Sequence, residues 1–450
     1  MNLQAEGDLE LSGLTLRVGD LRETYDTSGR LIQLTWLNGY TQSFTWANDQ
    51  ITGADSFGAN FVLKHVNGQV SQLLVDGLAQ ASYSYGAGGV LEKVTWADGT
   101  SRQYLYDGSY LTGIIDENGQ RYATWQYDAN GKGLSSEHGE MGADKYSFNY
   151  RAGLTTDITG PLGLTSTYRY LNVLGVYKHA DITRDGQTAT MSYDAQGNRT
   201  SYTDFGGNKT LYSYNNRNLE TSRTEAAGTP QARTITTDWH ASFRLPTKIT
   251  EPNRVTEFTY DNSGNLTQKT VTAGSLVRTW KWTYGNFGLL DTATDPNGKI
   301  TRYAYDAQGN LQSITNPLNQ VTQFSGYDSH GRPSTIKDHN NQQTTLSYTA
   351  RGWLKRRTVG GETTSYDYDG VGQLTKVTFP DGRSIRYSYD SAHRLTDIAD
   401  GQGNTIHYTL DLMGNRTRED VSDPAGMLNA ALRLIDQSLK SPLPTAADAA

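Results

Sequence analysis

The sequence has no cysteine in its 450 residues. That excludes a disulfide framework, a thiolate metal site and a cysteine nucleophile. It leaves the redox compartment open, because a chain without thiols is indifferent to it. Methionine is scarce at 5 and proline at 11. No apolar run approaches the ~18–20 residues of a membrane span. Lysine and arginine number 40 against 47 acidic residues, for a net charge of −7, and lie scattered along the chain. This is not the footprint of a nucleic-acid binder. The opening MNLQAEGDLELSG lacks the basic flank and apolar stretch of a signal peptide. The expectation is a chain that stays in the cytoplasm where it is made, or one exported by a machine that ignores such signals. The eight histidines, His65, His138, His179, His240, His330, His339, His393 and His407, follow no common repeat position. No H-E-x-x-H or G-x-S-x-G occurs. The reading is no enzyme, with no catalytic, cofactor-binding or metal residues assigned and no cofactor.

What is abundant is tyrosine, at 29, and glycine, at 47, together with Thr, Asn and Asp. These are strand and turn residues rather than helix formers. They recur in phase. Residues 301–315 read TRYAYDAQGNLQSIT, and similar lines appear at 191–203, 257–270, 365–378 and 386–399. Aligned on the residue before the turn, the chain gives nineteen anchors from Tyr25 to Leu410, seventeen of them aromatic, about 21 residues apart. A chain organised this way is one repeat array and not about three domains.

Each repeat can be read physically. The first strand carries two large residues at period two, as in Tyr303/Tyr305, Tyr366/Tyr368 and Tyr387/Tyr389, so both rings share one sheet face. A turn D-x-x-G follows, as in Asp306 to Gly309. The aspartate can bond back to turn N–H groups, and the glycine takes a positive φ. The return strand opens on Leu with Ile or Val three places on, as in Leu311/Ile314 and Leu374/Val377. Three is not an even spacing, so the sequence predicts a β-bulge there, or a leucine packed over the turn. A second tight turn, such as Asp98-Gly99 or Asp295-Pro296-Asn297-Gly298, leads to the next repeat. One repeat is one β-hairpin, and nineteen predict about 38 strands. At ~4.8 Å between strands the ribbon would run on the order of 180 Å, and one ring of it would measure near 58 Å across. Sheets twist, so the fold class is all-β: an antiparallel hairpin ribbon curving or spiralling into a partial or whole shell, with its rings on the protected face.

The signature x-Y-x-Y-D-x-x-G-[RN]-L-x-x-[IV]-T is that of the YD repeat, and the chain resembles bacterial Rhs proteins over about residues 10–420. Wall-associated proteins, the C component of insecticidal toxin complexes and teneurins carry similar repeats. The resemblance implies a cocoon that encloses a polymorphic toxin and delivers it to a neighbouring cell, often through the type VI secretion apparatus. It implies as partners a toxin domain or another repeat-shell segment, and a secretion spike or loading protein. The expected division is a lead-in at 1–10, the repeat array at 11–422, and a worn repeat with a short helix and disordered tail at 423–450. Fewer repeats than the family leads one to expect for a whole cocoon favour an open arc. Asp423-Pro424-Ala425-Gly426-Met427 superficially matches the family's self-cleavage motif, and is read as part of the worn repeat. In MLNAALRLIDQSL, Leu428, Leu432, Ile435 and Leu439 share a helical face, expected to cap one end of the ribbon.

Two sharper readings were weighed against plain packing. The D-x-x-G-N turns offer one carboxylate each, too few for calcium, and are read as turn chemistry. The anchors are read as hairpin packing, whereas Trp36, Trp96 and Trp353 lie off their register and are the better glycan-stacking candidates. The function expected is therefore a non-catalytic structural shell segment; the alternative is a secreted or cell-surface carbohydrate-binding or adhesion module using the outer face.

Overall fold

The computed structural model describes residues 9–12, 15–18, 20–139 and 141–440. Most of the expected lead-in and the expected disordered tail, the last eight residues, lie outside the described residues. The described chain forms forty strands in one sheet. Each strand pairs antiparallel with the strands before and after it in sequence, from Leu9–Ser12 to Arg416–Ser422. The predicted hairpin ribbon is present throughout. It has one more hairpin than the anchors gave, because Leu9–Ser12 and Thr15–Val18 pair without a tyrosine signature.

The odd spacing on the return strand is a bulge. Tyr305 faces Leu311 and Tyr303 faces Ile314, with the register shifting between Ala304 and Tyr305. The extra residue puts Leu311 and Ile314 opposite the two rings, and directly paired residues share a sheet face. The same pairs recur as Tyr368/Leu374 with Tyr366/Val377, and Tyr389/Leu395 with Tyr387/Ile398. Each of these hairpins therefore presents a four-residue apolar patch, while Arg302 and Ala304, on the opposite face, are exposed.

The bulge also explains why the anchor is tyrosine. Leu266 opens its return strand but lies beyond the ladder to the next hairpin, which begins at Gln268. Its carbonyl accepts the Tyr284 hydroxyl at 2.8 Å. Tyr85, Tyr127, Tyr260, Tyr368 and Tyr389 do the same to Val70, Leu111, Pro246, Leu354 and Leu374. Trp46 and Trp239 use their indole N–H groups on Leu31 and Glu220. Each of these anchors thus ties its hairpin to the preceding one where the ladder has ended. Tyr284→Phe keeps the ring and loses this bond. A thermal melt should show a loss of about 0.5–1.5 kcal/mol.

The turns follow the expected chemistry. Asp306 Oδ1 accepts the Gln308 and Asn310 N–H groups at 3.0 and 2.8 Å, and Oδ2 accepts the Asn310 side-chain amide at 3.0 Å. Both carboxylate oxygens are engaged within the turn.

The tightest core closes the far end of the array. The helix Met427–Lys440 packs Leu428 and Ile435 onto Tyr366, Val377, Ile385, Ile398, Ile406 and Tyr408. It covers the ring face of the last hairpins, where the unpaired apolar surface lies. Leu432 packs against the same cluster; the side chain of Leu439 is outside the described residues. Asp423 accepts the Leu428 and Asn429 N–H groups, capping the helix from its first turn.

Candidate functional site: the ring face and the seam

The ribbon does not remain an open arc. Asn38 donates its side-chain amide to the carbonyl of Phe287, 249 residues on. Asn118 accepts the N–H of Gly370, 252 residues on, and His393 meets Asp116 across 277 residues. A main-chain bond from Asp144 to Leu412 continues the series. The sheet therefore coils back beside itself after some 23–25 strands. At ~4.8 Å per strand that is a circumference of about 115 Å and a diameter of about 37 Å. The ring of near 58 Å is replaced by a tighter spiral of one full coil and most of a second.

Alternation of the hairpins dictates what meets at the seam. The tyrosine-linked D-x-x-G turns all lie on one edge of the ribbon, and the second-turn class on the other. In the seam, second turns of the first coil abut D-x-x-G turns of the second. Leu37 sits against Gly264, Asn38 against Gly288 and Phe57 against Gly309, at separations where a Cβ on the glycine would come within about 3 Å of the side chain. A side chain projecting from one turn fills the space that a missing Cβ leaves in the other.

The most buried part of the seam is ionic. The Glu117 side chain has no solvent exposure. Its Oε1 accepts the Trp96 indole N–H at 2.7 Å, and its Oε2 accepts Arg102 Nη2 at 3.0 Å. Arg351, from the second coil, lies 3.6 Å from Glu117 Oε1. Its guanidinium is sandwiched between Trp96 at 4.9 Å and Trp353 at 4.7 Å, a cation–π arrangement in a desolvated site. Beside it, His393 Nε2 donates to the buried Asp116 at 2.8 Å. The His393 ring stacks on Tyr122 at 4.3 Å, and His138 stacks on the other side of Tyr122 at 5.2 Å. His393 occupies the glycine position of its turn at φ +62°. A non-glycine residue held there stores strain, which the contact to Asp116 offsets.

The sequence-derived candidates are thus redistributed. Trp96 and Trp353, proposed for glycan stacking, give their faces to Arg351 within the seam, and Trp36 packs on Tyr40 at 5.0 Å in its own turn. Glu117, Arg351 and His393 were not singled out by sequence reasoning. The available signals were a glutamate inside a turn and a histidine where the repeat has glycine. Further along, the seam opens into a cleft of about 1030 Å³ between Phe57–Ala59 and the loop Gly326–Gly331. Among the described residues no cluster of His, Asp or Glu gathers as metal ligands. No helix there is long and apolar enough to cross a membrane, which leaves strand-crossing proteins aside.

The ring face is protected along the later hairpins, though not at the exposed Trp46 and Tyr150, and its buried phenols report this. Burial, reinforced by the Asp306 charge, pushes the Tyr327 hydroxyl up to about 12. Burial with a neighbouring phenol does the same for Tyr368 beside Tyr366 and Tyr387 beside Tyr389, both to about 12. The folded state favours the neutral phenol, so this stability is complete below the ordinary value of 10.0 and is lost as pH rises through about 12. Absorbance titration at the phenolate band should show these rings ionising together with loss of sheet between pH 10 and 12. Ionisation complete below that window, with the sheet intact, would contradict the packing.

Residues 287–321, 327–364, 368–405 and 389–426 match the RHS Repeat family. Teneurin-3 of Mus musculus is 34% identical over 116 residues, covering 26% of this chain and 4% of that protein. The probable deoxyribonuclease RhsB of Dickeya dadantii (strain 3937) is 26% identical over 342 residues, covering 73% of this chain and 22% of that protein. Among solved structures, TcdB2-TccC3 without its hypervariable C-terminal region is similar at 16% identity and a TM-score of 0.49, over 91% of this chain and 23% of that one. This chain spans less than a quarter of the length of any of these three. The matched repeats set a hairpin register of ring pair, D-x-x-G turn and bulge that recurs from Tyr25 to Leu410, and in this the chain is similar to the Rhs, or YD-repeat, proteins.

Proposed function

We propose that this chain is a non-catalytic wall segment of an Rhs-type toxin container, with its ring face as the inner wall holding a toxin polypeptide until delivery to a neighbouring cell. The observation that carries the reading is the docking of the helix Met427–Lys440. The ring face takes an apolar polypeptide stripe and buries Leu428 and Ile435 almost completely. The remaining hairpins repeat the same tyrosine and leucine pattern without such a cover. The wall's role is steric: an enclosed polypeptide is kept from cytosolic targets and proteases. Its partners are the toxin polypeptide, further repeat-wall segments and a secretion spike or loading protein, with export independent of a signal peptide.

The test is co-expression with the polypeptide encoded directly beside it, followed by limited proteolysis. Co-purification, with the partner cleaved far more slowly than when alone, is expected. Equal cleavage with and without the wall would overturn the reading.

A further inference from the structure

The seam follows a simple rule that the rest of the molecule leaves unused. Where the second coil meets the first, three glycines of its D-x-x-G turns, Gly264, Gly288 and Gly309, have a first-coil atom in the space of a Cβ. On the first coil's own edge of that class, Gly29, Gly108, Gly153 and Gly175 have nothing within 4 Å of that space, while Gly131 and Gly197 are filled by Tyr110 and Lys178 of the adjacent turns and by nothing from another coil. The complementary edge is uncovered too. The last seam turn of the first coil is at Asp144, which meets Leu412. The next second-class turn carries Leu162 and Leu164 at 49% and 56% exposure, and Leu318 stands at 75% on the equivalent edge of the second coil. Leu162 and Leu318 hold the turn position that Phe57 occupies within the seam.

We propose that these two edges are the two halves of an intermolecular seam, and that the occupant of each is a second copy of this chain stacked head to tail. The argument is continuity with the internal seam: tip side chains of one edge seat on bare turn glycines of the other, and every copy carries a free length of both. The edges are different surfaces, so the contact is heterologous, and stacking adds coil upon coil without closing. The proposal rests on the seam alone and is independent of the container reading.

Sedimentation velocity over a hundredfold range of concentration tests it. The wild-type chain should pass from monomer to dimer and higher stacks. Leu162→Arg with Leu164→Arg blocks one edge; Leu154→Arg with Leu174→Arg blocks the other. All four leucines are exposed, so circular dichroism should show both variants folded. Each variant alone should remain monomeric, and an equimolar mixture should give dimers and nothing larger, because one compatible pair of edges remains. A wild type monomeric at every concentration, a variant that associates alone, or a mixture that stays monomeric would each overturn the proposal. Association undiminished in both variants would instead point to pairing through the terminal strands, and would equally overturn it.

Discussion

Gly309→Val should destabilise the chain more than Gly298→Val, although both glycines lie in four-residue turns with nearly the same backbone, φ +77° and φ +76°. The shared part is strain: a β-branched residue in the left-handed region costs about 1–3 kcal/mol. The difference comes from the seam. A Cβ at Gly298 meets nothing within 4 Å, whereas one at Gly309 would lie 2.8 Å from the Phe57 ring. That ring is itself held edge-on against Phe287 at 5.2 Å, so it cannot swing aside freely, and overpacking adds a further ~1–3 kcal/mol. Thermal melts of the two variants measure the gap. Phe57→Ala should cost less in the Gly309→Val background than in the wild type, with a coupling of about 0.5–3 kcal/mol. Equal melting temperatures for Gly309→Val and Gly298→Val would remove the seam contact, and no loss in either would remove the turn assignment. His339→Ala is the reference point: this histidine is exposed in its turn, and its loss should be within ~0.5 kcal/mol.

Arg351→Met should be comparably damaging for a different reason. It leaves Glu117 fully buried with Arg102 as its remaining cationic partner. Breaking a buried pair from one side costs about 3–5 kcal/mol, because a desolvated charge is left behind; Arg102 holds the loss toward the lower figure. Glu117→Gln in the same chain should recover much of it, since the amide can still accept the Trp96 indole N–H. Loss of this contact loosens the seam locally, so trypsin should cut the seam turns near residue 351 faster in Arg351→Met than in the double variant. A double variant no more stable than Arg351→Met would show that packing of the guanidinium between Trp96 and Trp353 dominates.

The hairpin was legible because every element of it is local. Ring pair, D-x-x-G and L-x-x-I all fall within about fifteen residues, and the odd leucine spacing resolved into a bulge that pairs Leu311 with Tyr305. The seam was not legible. Its period of 249 to 277 residues belongs to the accumulated curvature of some two dozen strands, and no single repeat encodes it. Phe57, Glu117, Arg351 and His393 therefore looked like ordinary variation within their own turns. The first hairpin was missed because its pairing rests on backbone ladders without an anchor ring. The helix was legible as amphipathic, but which surface it covers depends on where curvature leaves apolar area unfilled.

The wiring of the sheet has a mechanical consequence. Because each strand hydrogen-bonds only to its immediate predecessor and successor in sequence, a pull on either terminus loads one ladder at a time, like drawing yarn from a knitted edge. Such a molecule should unravel under force in small, near-equal steps of about twenty residues, and could be threaded through a narrow channel without first melting as a whole. Steps should become harder where a stitch is also fastened to the neighbouring row, as near Arg351 and His393, and where the C-terminal helix packs across the last hairpins.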